Sequence, residues 1–224
     1  MKKVFLIAAM IVATLSVNAQ AEPGSLTIQP HIGGSAGMIT HADKAPSEIG
    51  LDNLERDANG GGMIGVELEY QMTKWLGIAA GANFMQAGTA WKEVVKGDKK
   101  YKDLKVETSY LTVPVVANIY LCKGLALKSG VQFGFLMDAK MNRTEEIKKG
   151  DVTDKHDTEV KCKDMFNKFD VAIPVGISYE FKVPIVIDLR YNIGLSKVNK
   201  DNWYENKSCQ SHTCTLTVGY KFKL

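Results

Sequence analysis

Eight ionisable side chains stand out because each sits in a segment that is otherwise apolar or small: Glu67, Glu69, Lys128, Asp170, Glu180, Asp188, Arg190 and Lys221. Charges in such surroundings must pair or keep water, because an isolated buried ion is too costly to leave alone. Arg190 is the natural hub, since one guanidinium fork can hold two carboxylates. Such a set could relay protons or ions, or it could fill a narrow interior as a polar plug. The plug is the reading preferred here.

Other residue types offer chemistry less convincingly. Ser211-His212 could supply a nucleophile and a base for a lipid hydrolase, but neighbouring residues of a strand point to opposite faces. No acid is placed to orient the imidazole. His31 and Ser35 share a face but lack an elbow motif. The cysteines are Cys122, Cys162, Cys209 and Cys214, with no CxxC among them. Cys209, His212 and Cys214 would make a metal site one ligand short. No catalytic residue, cofactor or metal is therefore expected.

The elements that must position these groups are strands. Period-two alternation recurs in eight segments. They are Leu26–Ile39, Met63–Met72, Leu76–Phe84, Tyr110–Leu121, Leu125–Met137, Phe169–Phe181, Ile185–Ser196 and His212–Leu224. In the penultimate one, Ile185, Ile187, Leu189, Tyr191, Ile193 and Leu195 alternate with Asp188, Arg190, Asn192, Gly194 and Ser196. No segment carries a convincing helical period, although a short helix near Pro46–Arg56 is compatible with the sequence. The connections alternate long and short. His41–Gly60, Lys92–Asp103, Asn142–Asn167 and Asn199–Ser211 are long, whereas Thr73-Lys74, Cys122-Lys123-Gly124 and Lys182-Val183-Pro184 are tight.

The chain has 224 residues, 45% of them hydrophobic and 24% charged, which excludes global disorder. Only one apolar run is long, at the N-terminus, so a polytopic helical membrane protein is excluded. The net charge of +3 gives no basic stripe for nucleic acid. Met1-Lys2-Lys3, the apolar Val4–Val17 and Ala19-Gln20-Ala21 follow the order of a cleaved signal peptide. Residues 1–21 are read as that peptide and residues 22–224 as one exported domain.

Four long loops on one side and three tight turns on the other is the asymmetry of an outer-membrane barrel. A soluble barrel would cover its outer face with solvated groups. Here the face opposite the apolar one is mostly Gly, Ala, Ser, Thr and Asn, which suits a narrow packed lumen. The apolar face is almost free of charge for ~9–11 residues per strand, the height of a tilted membrane strand. Trp75, Tyr70, Phe169, Tyr179, Phe181, Tyr220 and Phe222 mark strand ends as interfacial girdles, while Tyr120 falls on the inward register. The expected fold is thus all-β, an eight-stranded antiparallel up-and-down transmembrane barrel with both termini periplasmic. Cys162 and Cys209 then lie in outer loops and are expected to be linked, with Cys209–Cys214 as the local alternative. Cys122, on the periplasmic side, cannot reach them.

Tyr110-Leu111-Thr112-Val113-Pro114-Val115, Asp170–Gly176, Asp188-Leu189-Arg190-Tyr191 with Gly194-Leu195, and Gly219-Tyr220-Lys221-Phe222 carry a resemblance. The chain resembles the PorT-like small outer-membrane β-barrel proteins of the Bacteroidetes along essentially its whole mature length. The resemblance implies an eight-stranded barrel and brings no catalytic residue with it. The end departs from it, because Lys223 and Leu224 follow Phe222 where barrels often finish on an aromatic.

The functional expectation is a non-catalytic outer-membrane protein, structural or binding a ligand or protein through its extracellular loops. The alternatives are a barrel-embedded lipid hydrolase and a small channel or secretion accessory. The expected partners are outer-membrane lipid, the barrel-assembly machinery and an extracellular ligand or protein. Recognition is expected in Asn142–Asn167, with His41–Gly60 beside it.

Overall fold

A computed structural model describes residues 22–40, 56–92, 94–96, 99–149, 152–200 and 208–224. The strands are β1 (Leu26–Ile39), β2 (Arg56–Gln71), β3 (Leu76–Trp91), β4 (Val94–Lys96), β5 (Lys99–Cys122), β6 (Leu125–Lys149), β7 (Val152–Lys161), β8 (Phe169–Glu180), β9 (Ile185–Gly194), β10 (Ser211–Tyr220) and β11 (Phe222–Lys223). A single 3-10 turn covers Lys163–Met165. No helix among the described residues is long and apolar enough to cross a membrane.

Eight of these strands close a barrel. The order β5-β3-β2-β1-β10-β9-β8-β6 is completed by pairing of β6 with β5, and every pairing is antiparallel. Closure leaves no open edge around the wall, which is what a strand assembly in lipid requires. The β1–β10 ladder pauses between His31↔Gly219 and Ile28↔Phe222. Pro30 sits at that gap with no N–H to give. At one end the turns are short, and in the tightest of them Gly124 takes φ 84°, which a Cβ would strain.

The wall is inverted relative to a soluble protein. On β9, Leu189 is 45% exposed and Tyr191 48%, while Arg190 between them is 5% exposed. Outward apolar residues continue around every barrel strand, through Ile32, Ile64, Ile78, Val115, Val131, Val175 and Leu216. A belt of that extent far exceeds any tolerated water-facing patch and marks a lipid contact. Aromatic pairs edge it. Tyr179–Phe181 (4.9 Å) and Tyr220–Phe222 (4.5 Å) lie at the short-turn end, and Phe135–Phe169 (5.4 Å) and Phe133–Phe169 (6.2 Å) at the other.

Two expected loops are strand instead. Lys92–Asp103 contains β4 and the start of β5, and Asn142–Asn167 contains the end of β6, all of β7 and the 3-10 turn. Past Leu111 and Met137 the faces exchange character. Leu104, Val106, Ala139 and Met141 turn inward and are buried, while Lys105, Glu107, Asp138 and Lys140 alternate with them on the outside. Above the apolar belt the wall is therefore built like a soluble barrel, apolar within and polar without. A strand of this kind reads as a charged loop if only the lipid-facing pattern is sought. The helix expected near Pro46–Arg56 lies outside the described residues, except for Arg56, which begins β2.

Candidate functional site

Two structures occupy the barrel interior, an ion-pair stack and an apolar cap. The stack begins at the short-turn end. Lys221 donates to Glu69 Oε2 (2.9 Å), to Glu180 Oε2 (3.0 Å) and to the Tyr120 hydroxyl (3.2 Å), and Tyr120 donates to Glu69 Oε1 (2.5 Å). The alternation of β5 puts Tyr120 inward, where its ring and hydroxyl join the plug rather than a girdle.

One layer higher, Arg190 is clamped between two carboxylates. Its Nη1 and Nη2 reach Glu67 at 2.5 and 2.8 Å, and its Nε and Nη2 reach Asp188 at 2.8 and 2.7 Å. Lys128 donates to Asp188 Oδ2 (2.5 Å) and stands 3.6 Å from Glu67. All four side chains are buried. Buried charges survive only when fully paired, and here each cation of the layer meets two carboxylates. Small residues make the room: a Cβ on Gly81 would sit 2.6 Å from Glu67 Cγ, and one on Gly176 would sit 2.8 Å from Arg190 Cγ.

Asp170 does not join this stack. It lies nearer the loop end, where the Ser196 hydroxyl donates to it and Ser196 also accepts the Val171 N–H. Between Asp170 and the arginine layer the lumen is lined by polar side chains without a carboxylate, lysine or arginine among the described residues. His31 Nε2 pairs with Asn83 Oδ1 (3.0 Å), and Asn192 donates to Thr213 (2.9 Å).

The cap closes the loop-bearing end. Ile39, Trp91, Leu104, Val106, Tyr110, Leu136, Ala139, Met141, Cys162, Phe166, Val198 and Cys209 form one buried cluster, with Met165 packed against it. Phe166 is fully buried. Backbone bonds tie its two connecting segments together: Asn167 N–H to Val198 C=O (2.8 Å), Lys200 N–H to Met165 C=O (3.0 Å) and Val198 N–H to Cys209 C=O (2.9 Å). The Asn199 side chain accepts the Cys209 N–H (2.9 Å). The sequence reading missed the cap, although the alternation of Leu104 and Val106 with Lys105 and Glu107 carried its signal.

The cysteines fall on different sides of the wall. Cys162 and Cys209 are both in the cap cluster, whereas Cys214 faces outward on β10 and Cys122 is exposed at the end of β5. The wall thus separates Cys209 from Cys214. Burial, helped by the Asp138 carboxylate, pushes the Cys162 thiol up to about 11. Ser211 and His212 also part company. His212 stacks on the outward Tyr191 at 6.0 Å, and Ser211 lines the upper lumen beside Thr213. No cluster of His, Cys, Asp or Glu suited to a metal occurs among the described residues.

Several solved structures are similar to this chain. Ail, the attachment invasion locus protein of Yersinia pestis, is 16% identical, covering 89% of this chain and 99% of its own, at a TM-score of 0.40. OprG from Pseudomonas aeruginosa is 10% identical, with 92% and 99% covered and a TM-score of 0.44. The outer membrane protease OmpT from Escherichia coli is 9% identical, with 94% and 100% covered and a TM-score of 0.38. No curated protein matches the sequence. The model of the family described as outer membrane protein beta-barrel domain matches residues 18–200, so the chain belongs to that family.

Proposed function

We propose that this outer-membrane chain is a non-catalytic barrel, closed to solutes, that binds a ligand or protein through the part of its wall standing beyond the lipid belt. One observation carries the reading: β5 and β6 continue past the belt with their polarity reversed, around a buried core of their own. Long outer segments cost entropy to order and are usually kept for a role. Here that ordered surface is the sheet β4-β5-β6-β7. The ion-pair stack argues against a pore, because side chains fill the interior of so small a barrel. The opposite facing of Ser211 and His212, with Asp170 taken by Ser196, argues against a hydrolase.

In this reading residues 1–21 are a cleaved signal peptide, residues 22–224 form the barrel domain, and the barrel-assembly machinery inserts it. Both termini are periplasmic. That placement is supported by the Leu224 N–H to Leu26 C=O bond (2.9 Å) and the Lys223–Glu22 pair (3.3 Å) at the short-turn end. The narrower kinship with the PorT-like barrels of the Bacteroidetes rests on Tyr110–Val115 and Asp188–Tyr191 and belongs to the same proposal.

Reconstitution tests it. The purified barrel in a planar bilayer should show no stable conductance steps, and with labelled phospholipid it should release no fatty acid. Conductance that changes on neutralising Glu67 or Asp188 would replace the reading with a channel. Fatty-acid release abolished by His212→Ala would replace it with a hydrolase.

A further inference from the structure

On the outer wall just above the lipid belt, two strand irregularities fall at similar heights. The β2–β3 register shifts between Asn59 and Met63, and the β5–β6 register between Ser109 and Tyr110. Between them the wall carries a cavity of about 260 Å³, lined by Asn59, Gly60, Gln86, Glu107, Ser109, Asp138 and Lys140, with Ala87 and Thr108 behind. The cross-strand pairs Gln86↔Ser109↔Asp138 and Gly88↔Glu107↔Lys140 set its polar side chains in two rows across β3, β5 and β6. Glycine keeps the wall thin there: a Cβ on Gly61 would lie 2.3 Å from the Gln86 carbonyl, and one on Gly88 would lie 2.0 Å from the Val106 carbonyl.

The lining decides the ligand chemistry. The lysines are already neutralised, Lys140 by Glu159 (2.9 Å) and Lys105 by Glu107 (2.7 Å). Asp138 adds a negative charge, so a phosphate would be repelled. The Asn59 and Gln86 amides and the Ser109 hydroxyl have no hydrogen-bond partner among the described residues. Donors and acceptors of this kind, beside carboxylates, suit the hydroxyl groups of an uncharged sugar. The volume falls just below the roughly 300–1,000 Å³ of ordinary small-ligand clefts, so it takes one ring rather than a chain of them. Position decides the source. Directly below on the same wall, Phe84↔Leu111↔Phe135↔Phe169 form a continuous outward row at the rim of the belt. A group seated in the cavity therefore has its lipid-side edge at the hydrocarbon boundary.

We infer that this cavity holds the neutral sugar headgroup of an outer-leaflet glycolipid, with the acyl chains crossing that row and running down the apolar wall below it. The site is on the lateral wall and does not depend on the partner proposed for the outer sheet.

The full-length barrel, placed in nanodiscs of phosphatidylglycerol with a minor fraction of monoglucosyl diacylglycerol, can be released into native mass spectrometry. The wild type should retain the glucolipid over phosphatidylglycerol by about tenfold, the worth of one to two net hydrogen bonds. Ser109→Phe, which fills the cavity from an outward strand position, and Gln86→Leu, which removes an amide without filling it, should each abolish that preference while remaining heat-modifiable on a gel. Soluble methyl glucoside should compete poorly. Equal retention of the two lipids by the wild type, or an undiminished preference in both variants, would overturn the inference. Competition by methyl glucoside as effective as by the glucolipid would also overturn it, since the source would then be solution rather than the membrane.

Discussion

Arg190 on β9 and Glu67 on β2 are joined across the lumen by two hydrogen bonds, Nη1 to Oε1 at 2.5 Å and Nη2 to Oε2 at 2.8 Å, although three strand steps separate them around the wall. That one fork, shared with Asp188, does for the membrane barrel what an apolar core does for a soluble one. It fixes strands that face lipid on their other side. Arg190→Ala leaves two carboxylates facing Lys128 alone. It should cost about 3–5 kcal/mol, the range for breaking a buried pair. Urea unfolding in detergent micelles checks this, and Arg190→Lys should recover only part of the loss because an ammonium lacks the fork. An unchanged unfolding midpoint for the alanine variant would show that the stack is not structural.

The cap predicts a separable effect. Phe166→Ala opens a cavity in the buried cluster and should cost about 3–5 kcal/mol of local stability. The loss should stay above the lipid belt. Limited proteolysis should become faster around the 3-10 turn, while the barrel still shifts mobility on boiling. Loss of heat-modifiability would mean that cap and membrane barrel fold as one unit.

The cysteines give a third expectation. Cys162 and Cys209 share the cap, while Cys214 lies beyond the wall, so non-reducing peptide mapping of protein from the oxidising side should show a Cys162–Cys209 linkage with Cys122 and Cys214 alkylated. In the reduced protein burial holds Cys162 protonated up to about pH 11, so its reaction with maleimide should keep accelerating until the pH approaches that value. A Cys209–Cys214 peptide would contradict the placement of the wall between them.

The eight barrel strands are legible in sequence because lipid on one side and a packed lumen on the other impose a strict period of two. Asp188, Leu189, Arg190 and Tyr191 show it in four consecutive residues. The reversal above the belt is not legible to the same search. Leu104, Val106, Ala139 and Met141 alternate as cleanly, but with charged neighbours outward, and Lys99–Lys102 and Glu145–Lys149 look like loop by composition. The ionisable set is also split in a way composition hides. Asp170 shares the inward register of Asp188, yet it sits several layers higher, where the Ser196 hydroxyl rather than Arg190 or a lysine donates to it. Tyr120 shows the converse: an aromatic at a strand end belongs to the plug because its register, not its type, decides which side it meets.

Strand β5 crosses from lipid to water between Leu111 and Ser109, and the polarity of its two faces reverses there while their register does not. Spin labels placed singly at the outward positions Ile119, Val115, Leu111, Ser109, Glu107 and Lys105 of the bilayer-reconstituted barrel test it through collision with oxygen and with a water-soluble nickel chelate. Oxygen contact should dominate at positions 111, 115 and 119, and nickel contact at 105, 107 and 109, with labels at Val106 and Leu104 shielded from both. Oxygen contact continuing to Lys105, or nickel reaching Leu104 and Val106, would contradict it.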